Sequence, residues 1–266
     1  MKIIILAAGE GKRLRPLTNE KPKCMVELFG KSILETQINI FKKCDINKIC
    51  IIRGYQKEKI NFQDVKYYFN KKYDSTNMIE TLFCAEEEFD EPMIISYGDI
   101  IYEKEIIKKL RDNDENISVI IDRDWEKLWK VRFENPLDDA ETLQIDNNGN
   151  ISDIGQKTND IKEIKGQFIG LIKIQGKGVE IFRNFYNKCK EKSKIEGINP
   201  LNDKIPFEKS FMTDFLQGLI KDNQKISPVF VNNGWLELDS VKDYKIYNEL
   251  FNSKKISEFI NLEDLK

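Results

Sequence analysis

The run Lys2-Ile3-Ile4-Ile5-Leu6-Ala7-Ala8-Gly9-Glu10-Gly11-Lys12-Arg13-Leu14-Arg15-Pro16-Leu17-Thr18 decides the architecture. Positions 2–7 read as one strand, apolar after Lys2 and rich in β-branched residues without alternation, the pattern of a strand buried on both faces of a parallel sheet. The run then breaks at Gly9 and Gly11, where glycine lets the backbone turn and brings amide N–H groups close to a ligand. Lys12, Arg13 and Arg15 add positive charge, and an arginine fork grips phosphate at two points. A glycine turn with three cations directly after a strand suits a triphosphate; by glycine spacing alone it reads equally as an ordinary turn on a charged surface. Leu14 stands where a dinucleotide fingerprint needs its last glycine, and Arg13 follows Gly11-Lys12 where a P-loop needs Ser or Thr. Those two phosphate-binding classes are therefore disfavoured.

Outward from this strand, short apolar runs alternate with amphipathic stretches. Ile33, Gln37, Ile40, Phe41 and Cys44 recur at helical spacing. Strands are expected over 48–53, 65–69, 92–97 and 117–122, with helices over 78–88 and 104–110 between them. This alternation predicts an α/β fold: a doubly wound, mostly parallel mixed sheet with helices on both faces. After Asp122 the rhythm changes. Aromatic and charged residues crowd 125–133, and 142–145 and 151–154 flank Asp146-Asn147-Asn148-Gly149, a hairpin signal. Further elements are expected as a strand over 167–174, helices over 179–192 and 211–221, a strand over 227–231 and a last helix over 241–251. The hairpin region reads as a small β-rich elaboration. With no repeat, low-complexity tract or linker, one domain spanning 1–266 is expected.

Composition removes whole classes of chemistry. The chain has 266 residues and no histidine. Imidazole-based triads, HExxH zinc sites and histidine-ligated iron are excluded. Forty-three basic against forty-five acidic residues leave a net charge of -2, which gives no footprint for nucleic acid. Five cysteines are scattered without CxxC spacing, suiting reduced thiols. No apolar run approaches the ~20 residues of a membrane span, and the first apolar run is too short for a signal peptide. A cytoplasmic location without membrane association is expected; nothing in the sequence sets an oligomeric state.

Asn19-Glu20-Lys21-Pro22-Lys23-Cys24-Met25-Val26-Glu27-Leu28-Phe29-Gly30-Lys31-Ser32-Ile33-Leu34 continues the opening run. Together, LAAGxGxRLxPLT…KPKxMVxxxGKxxLE resembles the sugar-nucleotide-type nucleotidyltransferases, a family with a Rossmann-like fold. The resemblance implies reaction of a nucleoside triphosphate with a phosphorylated substrate, releasing pyrophosphate. It places Leu6, Ala7 and Ala8 beside the base, Gly9, Gly11, Lys12 and Arg13 around the triphosphate, and Lys23 on the reacting phosphates; outside that setting Lys23 is a surface lysine after a proline turn. Gly54-Tyr55 and Asn70…Tyr73…Thr76-Asn77-Met78 resemble base and ribose contacts of the CTP-using branch. Tyr97-Gly98-Asp99 and Trp235-Leu236-Glu237-Leu238-Asp239 resemble the segments that supply two Mg²⁺-binding aspartates. Carboxylates suit Mg²⁺, which binds through one or two acids plus phosphates. Alone, Asp99 reads as a turn former and Asp239 as the cap of the last helix, with Ser240 competing. On this resemblance 1–122 is the nucleotide-binding half, 123–240 the acceptor half with the second metal ligand, and 241–266 a C-terminal helix and tail.

The middle of the chain bears on the acceptor. Segments 122–143 and 163–171 resemble the subgroup that uses CTP to activate small phosphonates or phosphoryl-amino compounds of the 2-aminoethylphosphonate or phosphoglutamine type; phosphocholine enzymes match less well here. The implied product feeds decoration of capsule or another surface glycan. Trp125 and Trp129 share a helix face by spacing, and with Trp235 form an aromatic wall for an amine or ordinary packing. Arg132 and Glu141 are candidates to bind a carboxylate and an amine, or to pair with each other. Lys157, Gln167, Thr213 and Glu237 complete the candidate acceptor contacts; Lys157 reads also as an exposed lysine, and Thr213-Asp214 as a helix opening. A sugar-1-phosphate nucleotidyltransferase and a non-catalytic nucleotide sensor are the alternatives. Retention of Lys23, Asp99 and Asp239 argues against the sensor.

Overall fold

A computed structural model of the chain describes residues 1–90 and 92–265. The opening run folds as expected: β1 (Lys2–Ala7) is almost wholly buried, with Ile3, Ile4 and Ile5 at 0% exposure. A short hairpin, β2 (Glu27–Leu28) and β3 (Lys31–Ser32), leads into α1 (Ile33–Lys43), which Ser32 caps by accepting from the Glu35 N–H at 3.2 Å. Then follow β4 (Lys48–Arg53), β5 (Lys66–Phe69), α2 (Met78–Phe83), β6 (Met93–Tyr97), β7 (Ile100–Tyr102), α3 (Lys104–Arg111) and β8 (Ile117–Asp122). The second half holds α4 (Trp125–Arg132), the antiparallel pair β9 (Glu141–Ile145) and β10 (Ile151–Lys157), β11 (Gln167–Ile174), α5 (Lys177–Glu196), α6 (Met212–Lys221), β12 (Ser227–Val231), β13 (Trp235–Glu237) and α7 (Val241–Asn252).

The seven-stranded sheet runs β12-β8-β11-β6-β1-β4-β5 and draws strands from both halves of the chain. All its neighbouring pairs are parallel except those of β11, antiparallel to β6 and β8. Two apolar layers sandwich it. Ile3 and Ile5 point to the side covered by α1, α3, α4 and α7, while Ile4 points to the side covered by α2, α5 and α6. That is the period-two alternation of a strand buried on both faces. The expected mostly parallel mixed sheet with helices on both faces is therefore present.

One element departs from its expectation. The helix predicted over 78–88 stops at Phe83, and 86–88 form a separate 3-10 turn. Glu87 and Glu88 turn toward Lys66, Tyr68 and Lys2 instead of continuing the helix. Among the described residues no helix is long and apolar enough to cross a membrane.

Candidate active site

Open parallel sheets place ligand sites beyond the carboxyl ends of their strands. Here the ends of β1 and β6 supply Leu6, Ala7, Ala8, Gly9, Tyr97, Gly98 and Asp99, which with Lys23, Tyr73, Thr76, Asn77 and Thr81 line an open cleft. A second open cleft adjoins it, lined among others by Arg13, Trp129, Asp139, Glu141, Gln167, Phe168, Thr213, Trp235, Glu237 and Asp239. Met78 and Tyr97 line both.

Lys23 stands at the seam. Its Nζ lies 2.7 Å from Asp99 Oδ2 and 2.7 Å from Asp239 Oδ1, joining residues 76 and 216 positions away in sequence. Arg13 Nη2 approaches the other Asp239 oxygen at 2.5 Å. Burial works to lower the Lys23 pKa, but the Asp99 and Asp239 carboxylates outweigh it and hold the amine protonated. Burial likewise works to raise the Asp239 pKa; Lys23, with a contribution from Arg13, outweighs it and keeps this carboxylate below its ordinary range. Gly11 has a left-handed φ of 69°, and a Cβ there would lie 2.8 Å from Lys23 Cβ. The second glycine thus serves both the turn and the packing of this lysine.

The backbone fixes the spacing of the two aspartates. The Asp99 carbonyl accepts from the Leu238 N–H at 2.9 Å. Gln37, fully buried on α1, donates through Nε2 to the carbonyls of Tyr97 (2.6 Å) and Ile100 (2.7 Å), which bracket the Gly98-Asp99 turn. Ser240 caps α7, accepting from the Asp243 N–H at 3.2 Å. The competition over that cap is therefore resolved, and the Asp239 carboxylate is left to face Lys23 and Arg13.

At the second cleft, Gly170 has φ of 87°, at an irregularity in the β11–β8 register, and a Cβ there would come within 2.6 Å of the Tyr97 ring. A bulge of this kind re-aims neighbouring side chains, and Phe168 packs edge-on to Tyr97 at 5.9 Å. Trp129 and Trp235 form a wall, ring centroids 6.0 Å apart. Burial pushes Glu141 up to about 7, Lys157 opposing and Asp139 adding to the rise. Burial also raises Glu237, opposed chiefly by Arg132.

The structure thus brings Leu6, Ala7, Ala8, Gly9, Lys23, Thr76, Asn77, Gly98 and Asp99 to one cleft, and Arg13, Trp129, Glu141, Gln167, Thr213, Trp235, Glu237 and Asp239 to the other. Gly54 and Tyr55 sit behind the first wall: Gly54 packs on Ala8 and Tyr73, and Tyr55 donates its hydroxyl proton to the Asn19 carbonyl. Lys12 is exposed and paired with Glu10. Trp125 is core packing, edge-on to Trp129. On the acceptor side the structure departs from two candidate contacts, Arg132 and Lys157, the latter taking its other reading as an exposed lysine. Arg132 and Glu141 do not pair. Arg132 is 1% exposed, bound to Glu237 and Asp243, and lines neither cleft; its charge is wholly taken up by the interior. Lys157 lines neither cleft: its Nζ bonds the Asp139 carbonyl at 2.9 Å, so it acts on Glu141 only through its charge. Asp214 accepts from the Phe211 N–H at 2.8 Å as part of the α6 opening, while its neighbour Thr213 faces the cleft. Asp139, Gly170 and Phe211 were missed as cleft residues; only the bulge glycine carried any local signal, a glycine inside a strand pattern.

Comparison with known proteins agrees with this geometry. The MobA-like NTP transferase domain pattern matches residues 3–144. The CTP:phosphoglutamine cytidylyltransferase of Campylobacter jejuni is 39% identical over 260 residues, covering 94% of this chain and 100% of that relative. The choline-phosphate cytidylyltransferase of Streptococcus pneumoniae is 40% identical over 106 residues, 38% of this chain and 46% of that one. The solved CTP:phosphocholine cytidylyltransferase of Streptococcus pneumoniae superposes with a TM-score of 0.69 at 23% identity over 94% of this chain and 98% of that one. Inositol-1-phosphate CTP transferase of T. maritima gives 0.68 at 18% identity, covering 98% and 97%. With a family pattern over more than half of its length and near-full-length likeness to a nucleotidyl-transferring relative, the chain belongs to the MobA-like NTP transferase family.

Proposed function

We propose that the chain is a cytidylyltransferase that moves CMP from CTP to a small phosphorylated or phosphonate acceptor carrying an amine, with release of pyrophosphate. Phosphoglutamine is the first acceptor to test, on the likeness to the Campylobacter jejuni relative. In this reading 1–122 hold the nucleotide and 123–240 the acceptor. The observation that carries it is the lining of the second cleft, where Asp139, Glu141, Glu237 and Asp239 face one arginine, Arg13, beside Trp129, Trp235 and Phe168. Acids and aromatic faces suit an ammonium group; a hexose can stack on the same rings and donate to the same acids, but it gains nothing from their charge. This favours an amine-bearing acceptor over the sugar-1-phosphate alternative.

The chemistry needs no histidine. A phosphate monoester has its second pKa near ~6 and is mostly ionised at neutral pH, so its oxygen attacks the α-phosphorus of CTP without a strong base. The α-phosphorus–oxygen bond to pyrophosphate breaks, and its electron pair leaves with pyrophosphate. Lys23, held protonated, and Arg13, forked, stand where the clefts meet to neutralise the developing charge and align the reactants. Mg²⁺ fits the residues present: Asp99 Oδ1 is buried without a hydrogen-bond partner, and Asp99 and Asp239 are hard oxygen ligands of the number Mg²⁺ takes beside phosphates. Asp99 and Asp239 would hold it. When bound, it supplies further charge neutralisation at the phosphates.

Pyrophosphate release tests the proposal, with each nucleoside triphosphate set against phosphoglutamine, 2-aminoethylphosphonate, phosphocholine and hexose 1-phosphates. Release with CTP and an amine-bearing acceptor is expected. Release only with a hexose 1-phosphate overturns it in favour of the sugar alternative, and nucleotide binding without any turnover in favour of the sensor.

A further inference from the structure

Arg132 is among the largest fully buried side chains, at 1% exposure, and lines neither cleft. A buried guanidinium is tolerated only when paired and hydrogen-bonded, and this one splits its fork. Nη1 donates to Glu237 Oε2 at 2.8 Å and Nε to Asp243 Oδ1 at 3.1 Å. The guanidinium also lies 5.4 and 5.1 Å from the centroids of the Trp129 and Phe133 rings. Asp243 uses its second oxygen to accept from the backbone N–H groups of Asp239 (3.1 Å) and Ser240 (2.8 Å) and from the Ser240 hydroxyl. Tyr247 donates to the Glu237 carbonyl at 2.9 Å. The four-residue segment 237–240 is therefore gripped at both ends, and Arg132 is the group common to both grips.

We infer that Arg132 is a positioning residue for the transfer reaction, aiming Glu237 into the acceptor cleft and, through Asp243, setting the Asp239 carboxylate against Lys23 and Arg13. The inference rests on the functional reading above. Stability alone does not account for the arrangement, since replacing a buried ion-pair network by apolar residues is often neutral or stabilising. Geometry does account for it. Glu237 and Asp239 belong to different tasks, acceptor recognition and the phosphate seam, yet lie two residues apart. Their relative placement follows from a single planar group with two fixed donor directions. Lysine cannot reproduce this, because one ammonium on a flexible stem favours one carboxylate or the other.

Steady-state kinetics of Arg132→Met, Arg132→Lys and Asp243→Asn, with CTP affinity measured separately by titration, test this. Arg132→Met is expected to lower kcat about a hundredfold and raise acceptor KM about tenfold, since misplacement near 1 Å costs that order. CTP affinity should fall far less than kcat, because the brace reaches the first cleft only indirectly, through Asp239 on Lys23 and Leu238 on the Asp99 carbonyl. Arg132→Lys should rescue one of the two parameters. Asp243→Asn should lower kcat and leave acceptor KM unchanged, because Arg132 still holds Glu237. Unchanged kcat and acceptor KM in Arg132→Met, or CTP affinity falling in step with them, overturns the inference. Should Arg132→Met fail to fold, Asp243→Asn decides: a fall in kcat alone supports the brace, and wild-type kcat contradicts it. Wild type that turns over with no amine-bearing acceptor removes the functional reading and this inference with it; wild-type turnover with unaffected variants removes this inference alone.

Discussion

The two clefts are built in different ways. Every residue lining the first lies within positions 6–99, half of them at the ends of two neighbouring parallel strands and in the turns that follow. The second takes Arg13, Met78 and Tyr97 from that same stretch, then reaches into α4, β9, β11, the start of α6 and β13. The first is a strand-end site whose geometry follows from local sequence, glycines after an apolar strand and a lysine after a proline. The second depends on where an antiparallel strand, a bulge and a late β-strand arrive. Phosphate handling fits the first kind of site, because one polyanion is always to be held. Choice of acceptor fits the second, where substitutions in dispersed elements change the lining without disturbing the phosphate seam.

The sharpest way to break this comparison is at the seam. Lys23→Ala, Asp99→Ala or Asp239→Ala should each lower kcat by about a thousandfold, with circular dichroism showing the fold retained; near-normal turnover removes that residue from the mechanism. Next come substitutions that touch one cleft alone. Trp129→Ala should raise acceptor KM by about tenfold, and Tyr73→Ala should raise CTP KM by a similar factor, each leaving the other substrate nearly unaffected. Equal effects on both substrates would show that the clefts are not functionally separate.

A smaller effect comes from pH. Burial holds Glu141 near about 7, so it is a neutral acid below that pH and an anion above it. KM for an amine-bearing acceptor should therefore fall several-fold between about pH 6 and 8, and Glu141→Gln should flatten the part of the profile centred near 7. The same shift has a cost in stability. The unfolded chain releases this proton near ~4.3, so between that pH and about 7 the folded state binds the extra proton, and stability falls as pH rises through the window. Glu141→Gln should gain on the order of 1–3 kcal/mol at pH 8 and nothing below about pH 4, read by thermal melts at both pH values. The smallest effect is expected of Lys157→Met: by removing the cation that opposes the rise at Glu141, it should move the acceptor-KM inflection upward and leave kcat unaltered.

The same contrast explains what was legible in the sequence. The strands at 48–53 and 117–122 and the glycine turn could be read directly, because burial on both faces of a parallel sheet writes continuous apolar runs. The convergence of Lys23, Asp99 and Asp239 was readable only through a long ordered motif; no spacing rule links residues so far apart. Arg132 was misread because charge in a sequence does not say which way it faces. An arginine at the end of an aromatic helix suits a substrate carboxylate or a neighbouring glutamate, and only the packing of α4 against α7 commits it to Asp243. The helix ending at Phe83 was obscured because Glu86, Glu87 and Glu88 are good helix formers, whereas the lysine and tyrosine partners of Glu87 and Glu88 lie in β1 and β5.

The most direct test of the whole account is a crystal structure of the chain grown with CTP and Mg²⁺. The account predicts the nucleotide in the cleft between Ala8 and Thr76, the metal ion held by both Asp99 and Asp239, and the α-phosphorus facing the opening beside Trp129. A metal ion held away from these two carboxylates, or a nucleotide seated in the acid-lined cleft, would contradict it.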